Sequence, residues 1–248
     1  MKNKLQILIA MLLCTLWITG LNAQTVYIED YTCSSSVETY TPLGSTATVL
    51  SPTTEDDGYA TVNLPFAFTF GSTPMTAGSS IYMSVNGFIT LNTSYSSTTP
   101  PYSGSYNVIS PLGHDLHLRS SGQLKSEVSG TAPDRVFTLQ WSNVESYSAG
   151  NVYNFQVKLY EGSNDIKFCY GNSTVTASKS VYCFLREYTQ DDYVIAMNNW
   201  NTPVFVTSGS TFSKNLDASQ YPSNGRTYTF ARPTPPCNKP TWLLTSNV

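Results

Sequence analysis

Charge is scarce in this chain. Asp, Glu, Lys and Arg make up only 12% of its 248 residues, against about a quarter in an average soluble protein. The 13 Lys and Arg gather into no patch or run, so the electrostatic footprint of a nucleic-acid binder is missing. Helical periodicity is missing too: no segment repeats its apolar residues every 3.6 positions over three turns, which excludes a helical bundle and an α/β sheet. Cysteines at metal-ribbon spacing are absent, and with them a structural zinc site. There is no Gly-x-Ser-x-Gly elbow, no phosphate-binding loop and no dinucleotide fingerprint, so the common hydrolase and nucleotide chemistries lack their scaffolds. Beyond residue 23 no apolar run approaches the roughly 18 residues of a membrane-spanning helix.

What is present is aromatic and small-polar. Aromatics are 13% of the chain, with 17 Tyr, enough for a large core, while Ser, Thr, Asn and Gly stand where Lys and Glu usually coat a surface. Residues 1–23 read as a secretory signal peptide. Lys2 and Lys4 precede the apolar LQILIAMLLCTLWITGL, and Leu21-Asn22-Ala23 offers a cleavage site before Gln24. Removal of Lys2 and Lys4 takes the formal charge from −3 to −5. The mature chain is thus expected to be secreted or held at the cell surface, with no membrane insertion and no nucleic-acid partner.

From residue 60 the pattern alternates with period two between turn residues, the signature of half-buried strands. ATVNLPFAFTF (60–70), SIYMSVNGFITL (80–91), DRVFTLQW (134–141), NVYNFQVKLYEG (151–162), DIKFCYG (165–171), SVYCFLREY (180–188), DYVIAM (192–197) and GRTYTFA (225–231) form the series. Asn86-Gly87 marks a turn or bulge inside the second of these. About a dozen such strands predict an all-β antiparallel sandwich over 24–232, because two facing sheets supply the burial that one sheet lacks. Phe66, Phe68, Phe137 and Trp141 fall to the core. ARPTPPCNKP (231–240) is Pro-rich and reads as a linker into 233–248.

Cys14 leaves with the signal, and Cys33, Cys169, Cys183 and Cys237 remain. An even number in an exported chain permits two disulfides in three pairings. Cys169 and Cys183 lie on strand-like runs flanking a Ser/Thr-rich connection, which suggests a cross-hairpin bridge. Cys33–Cys237 would then tie the first strand to the end of the domain.

Candidate sites are few. PLGHDLHL (111–118) holds both histidines. On a strand, alternate side chains face opposite ways. His114 would then share a face with Leu112 and Leu116, leaving Asp115 and His117 as the credible polar pair. Glu55-Asp56-Asp57-Gly58 is an acidic loop that could draw calcium, which wants several oxygen ligands, although turn chemistry alone also favours Asp there. No other cofactor is expected. The stretch NTSYSSTTPPYSGSYNV (92–108) sets Tyr95, Tyr102 and Tyr106 among Ser, Thr, Gly and Pro, a mixture suited to contact surfaces. Those tyrosines could equally pack on the sandwich edge. Trp200 in MNNWNTP is a second candidate platform.

Several stretches follow one another in an order that resembles a known family: EDDGYATVNLPFAFTF, IYMSVNGFITL, NVISPLGHDL, APDRVFTLQWSNV and FQVKLYEGSNDIKFCYG. Together they are similar to the N-terminal β-sandwich of secreted surface proteins of the Bacteroidota, cargo of the type IX secretion system, and to the nidogen-like extracellular domain. CNKPTWLLTSNV (237–248) resembles the opening of a fibronectin type III-like module. In the resembling domains the segment 111–116 usually reads Pro-Leu-Trp-Asp-Asp-Leu. Here Gly113 and His114 stand at the Trp and first Asp, so one carboxylate is lost. The resemblance implies export and a non-catalytic adhesive or binding role toward an extracellular glycan or protein. An accessory domain of a secreted hydrolase, or a structural spacer, are the alternatives. It disfavours a eukaryotic secretory path, in which the sequons at Asn92 and Asn172 would matter.

Overall fold

The computed structural model describes residues 25–119, 121–148, 150–188, 193–207, 213–217 and 219–234. The signal segment 1–23, Cys237 and the fibronectin-like stretch lie outside them. A 3-10 turn (Ile28–Asp30) leads into β1 (Thr32–Val37) and β2 (Thr48–Leu50). There follow β3 (Tyr59–Asn63), β4 (Phe68–Phe70), β5 (Thr73–Met75), β6 (Ser80–Ser84), β7 (Ile89–Thr90), β8 (Val108–Gly113) and β9 (Leu116–His117). Next come β10 (Gln123–Ser129), β11 (Val136–Ser146), β12 (Val152–Tyr160), β13 (Ile166–Tyr170) and β14 (Lys179–Arg186). The last are β15 (Tyr193–Asn199), β16 (Thr202–Thr207), β17 (Ser213–Leu216) and β18 (Arg226–Ala231). The strands outnumber the dozen expected because short pieces such as β4, β5, β7 and β9 carry too few residues to show alternation.

Two antiparallel sheets result. The first runs β1-β18-β13-β12-β11-β10-β2, with β9 added on β11; the second runs β16-β15-β14-β8-β7-β6-β3, with β17 added on β14. The hairpin β4–β5 stands apart. The alternation read from the sequence decides which side chains lie between the sheets. Phe137, Leu139 and Trp141 of β11, Phe155 and Val157 of β12, and Phe168 and Tyr170 of β13 are fully or almost fully buried. They meet Ile81 and Met83 of β6 and Val181, Cys183 and Leu185 of β14 in one core cluster. Trp141 stacks on Phe155 at 4.9 Å. Phe66 and Phe68 are buried as expected. Burial of each such aromatic is worth roughly 1.5–3 kcal/mol.

Hydrogen bonds from buried aromatics cross the core. Trp141 Nε1 donates to the Ser84 carbonyl at 2.8 Å and Tyr170 Oη to the Pro111 carbonyl at 2.7 Å. Each lets an amphipathic aromatic be buried without stranding its polar end. Asn86-Gly87 is a turn between β6 and β7. Gly87 sits at φ 78°, and a Cβ there would collide with the Leu112 carbonyl, so only glycine fits.

The expected Cys169–Cys183 bridge is not formed, and Cys33, Cys169 and Cys183 stand in no disulfide. The reason is topological. β13 and β14 are not a hairpin but belong to different sheets, and the Ser/Thr-rich connection carries the chain across the sandwich. Cys183 points inward, 3.5 Å from Tyr170 Oη. Cys169 neighbours Tyr170 in sequence and so takes the opposite face of β13. The other expected pairing ends at Cys237, outside the described residues; Cys33 Sγ contacts the Tyr31 carbonyl at 3.6 Å.

Candidate functional site

The segment PLGHDLHL is not one strand. β8 ends at Gly113, His114-Asp115 form a bend, and β9 resumes at Leu116. The break follows from competing hydrogen bonds: His114 N–H donates to the Asn86 carbonyl at 3.1 Å and Leu116 N–H to Asn86 Oδ1 at 2.7 Å. The histidines go to separate partners. His114 Nε2 lies 2.8 Å from Ser146 Oγ, and the ring also hydrogen-bonds the Ser180 backbone. Burial, helped by the nearby Lys179 charge, pulls His114 down to about 4, so the ring is neutral at pH 7. The buried His117 accepts from Arg119 N–H at Nδ1, 3.3 Å. Its ring meets the exposed Tyr147 edge-on at 5.8 Å, with the Arg119 guanidinium over the same tyrosine at 5.5 Å.

Asp115 joins a different group from the one its sequence neighbours suggested. Carboxylate oxygens of Asp56, Asp57 and Asp115 lie within 4.8 Å of one another. Glu55 is outside this set; its carbonyl accepts from Leu118 N–H at 2.9 Å. The bridge between Asp56 and His117 brings the acidic loop onto the bend. Burial, then repulsion from Asp57 and Asp56, raises the Asp115 carboxyl, with His117 pulling the other way. Asp115 and His117 therefore interact electrostatically, while the hydrogen bond of His117 goes to Arg119. Asp57 adopts φ 56°, a left-handed conformation that Asp tolerates better than most residues.

The tyrosine segment reaches the same place. Between β7 and β8 it folds back over the outer face of the second sheet. Tyr106 packs with Tyr182 against Val108 and Phe184, and its carbonyl accepts from Arg186 Nη1 at 2.9 Å. Tyr95 meets Tyr106 edge-on at 5.0 Å. Tyr102 stacks on Tyr182 at 6.2 Å and an interplanar angle of 7°, and remains 48% exposed. Pro100 crosses Gly113 so closely that a Cβ there would lie 2.7 Å from the proline ring. Gly113 is thus what lets the segment lie on β8. Tyr95 and Tyr106 anchor the segment, and Tyr102 presents its ring to solvent.

Asn86 joins the two halves. Its Nδ2 donates to Asp57 Oδ1 at 2.8 Å and to the Ser97 carbonyl at 2.7 Å, while its Oδ1 and carbonyl hold the 114–116 bend. One fully buried carboxamide therefore fixes the acidic loop, the bend and the tyrosine segment together. The sequence marked Asn86 only as a turn residue; its partners lie 11 to 30 positions away and leave no local signal. Trp200, expected as an exposed platform, is 4% exposed. Its Nε1 donates to the Asn215 carbonyl at 3.2 Å and its ring packs on Tyr170. It is a core residue, because the β15–β16 turn folds inward over the aromatic cluster.

No helix among the described residues is long and apolar enough to cross a membrane. No curated protein and no solved structure matches the chain. A family model described as NIDO related matches residues 30–233, which takes in all of β1 to β18, and NIDO-related domains are modules of an extracellular type. With that match spanning most of its length, the chain belongs to the NIDO-related family.

Proposed function

We propose that this domain is a secreted or surface-held, non-catalytic binding module that contacts an extracellular glycan or protein through one loop-built end of the sandwich. The observation that carries the reading is the Asn86 side chain, which holds the acidic loop and the tyrosine segment in one fixed arrangement. A rigid scaffold carrying ordered loops loses little entropy on binding. Tyr102 supplies exposed aromatic area at low entropic cost. Asp56, Asp57 and Asp115 supply negative charge that would draw a cationic group of the ligand, or calcium as a bridging ion.

Support for a non-catalytic role comes from how the polar groups are used. His114 is hydrogen-bonded on Ser146 and the Ser180 backbone, and Ser146 is itself 2% exposed. The close His114–Ser146 contact is therefore closed to substrate. The test is binding of the purified chain to glycan arrays and to host-matrix proteins, repeated with Tyr102→Ala and with Asp57→Asn/Asp115→Asn. Loss of the recognised ligand in either variant supports the reading. Unchanged binding in both removes this end of the sandwich from the account. Hydrolysis of polysaccharide or peptide pools, abolished by Asp115→Ala, would favour the accessory-hydrolase alternative instead.

A further inference from the structure

We propose that an uncharged, carboxamide-rich groove on the first sheet is a subsite for a neutral saccharide unit. The groove holds about 410 Å³ and is lined by Tyr40, Pro42, Asn143, Asn154, Asn172 and Asn224, with Ser142. A second hollow of about 270 Å³ shares Asn172 and Asn224 with it and adds Ser173 and Tyr221. None of the described residues lining either hollow is charged.

The groove is built rather than incidental. β11 bulges between Trp141 and Val144, which turns Asn143 out at φ 50°. Asn143 N–H donates to Asn154 Oδ1 at 2.9 Å, and Asn154 Nδ2 donates to the Asn172 carbonyl at 2.9 Å. The Asn154 carboxamide thereby ties the bulge to the loop after β13. Ser173 Oγ donates to Tyr221 Oη at 2.7 Å, fixing the floor of the second hollow. On the other side the Tyr40 ring lies on Gly171, where a Cβ would come 2.5 Å from the ring. Tyr40 Oη is buried with no hydrogen-bond partner among the described residues. Burial holds that hydroxyl far above its ordinary pKa, so it stays a donor.

The lining selects the ligand class. Carboxamides and hydroxyls each offer donor and acceptor together, which matches the vicinal hydroxyls of a sugar ring. Tyr40 and Pro42 add a flat apolar surface for its C–H face. With no charged side chain among the described lining residues, a carboxylate, phosphate or ammonium finds no opposite charge there to offset its desolvation. The volume lies within the roughly 300–1,000 Å³ of small-ligand sites. A peptide adding as a strand would need a free sheet edge, whereas Asn143 and Asn154 belong to the interior strands β11 and β12. The groove shares no residue with the Asn86 site, and the two proposals stand or fall separately.

The experiment is saturation-transfer NMR and calorimetry on the full chain. The probes are neutral monosaccharides and disaccharides (glucose, galactose, mannose, N-acetylglucosamine, lactose, maltose), set beside glucuronic acid, glucosamine and a neutral tetrapeptide. Saturable binding of at least one neutral sugar is expected. Asn172→Ala/Asn224→Ala, two exposed loop changes, should weaken it roughly tenfold or more through the lost hydrogen bonds. Tyr40→Phe, which removes only the hydroxyl, should also weaken it. The proposal is overturned if no neutral sugar binds saturably or if only the charged sugars or the peptide bind. It is equally overturned if affinity survives both the double variant and Tyr40→Phe.

Discussion

Lowering the pH from 7 to 5 should destabilise the domain through His114. Its ring is held neutral by burial, with a pKa lowered to about 4 against an ordinary 6.5. The folded state therefore binds fewer protons than the unfolded state between those values. Stability must rise with pH across that window and fall as pH drops below 6.5. Integrated from pH 7 to pH 5, the two pKa values give about 2 kcal/mol. Residual solvent contact at the ring trims this to about 1–2 kcal/mol. At roughly 2–4 °C per kcal/mol for a domain of this size, Tm should fall by about 2–8 °C from this group alone. Carboxylates begin to titrate near the lower limit, so the assay is calorimetric melting of wild type and His114→Gln in parallel at pH 7, 6 and 5. The glutamine cannot gain a proton, and the difference in Tm between the two proteins must shrink or reverse as pH falls. Melting curves that shift in parallel would refute the assignment of a depressed pKa to His114.

Further outcomes follow from the same geometry. Reductant should leave Tm unchanged, and thiol titration of the denatured, unreduced chain should detect Cys33, Cys169 and Cys183 as thiols; a reductant-sensitive Tm would contradict the absence of a disulfide at these three positions. Tyr170→Phe should cost roughly 1–3 kcal/mol in denaturant melts, because the buried Pro111 carbonyl loses its donor; a loss below about 0.5 kcal/mol would mean that the bond contributes nothing. Asp115→Asn should raise stability at neutral pH by at most about 0.5 kcal/mol by relieving repulsion from Asp57 and Asp56. Calcium at millimolar concentration should raise the Tm of the wild type more than that of this variant; an equal response would separate calcium from the cluster. Gly113→Ala should loosen the tyrosine segment over β8, read as faster proteolysis within 92–107, whereas unchanged cleavage would count against the Pro100–Gly113 contact.

The strands were largely legible because alternation is a local property. Phe137, Leu139 and Trp141 could be assigned to the core from their spacing alone. Sheet membership was not legible. A strand, a polar connection and another strand look the same whether they form a hairpin or cross the sandwich, and the Cys169–Cys183 expectation failed on that ambiguity. Trp200 misled for a related reason: its Asn-rich surroundings look like an exposed loop, but its burial depends on Tyr170 and Tyr228, which come from other strands. The acidic loop and Asp115 were each visible as polar features, yet their meeting depends on the Asp56–His117 bridge and on Asn86. Of the three tyrosines, the sequence could not say that Tyr95 and Tyr106 would anchor and Tyr102 would face solvent.

The most direct test of a binding role at the Asn86 end is amide chemical-shift mapping of the isotope-labelled chain with the ligand that glycan or matrix screening selects. Shifts concentrated at residues 53–58, 92–107 and 114–119, and lost in Tyr102→Ala, are the predicted result. Shifts confined to the outer edges of the sheets, at β1, β2, β3 or β16, with those loops silent, would contradict it.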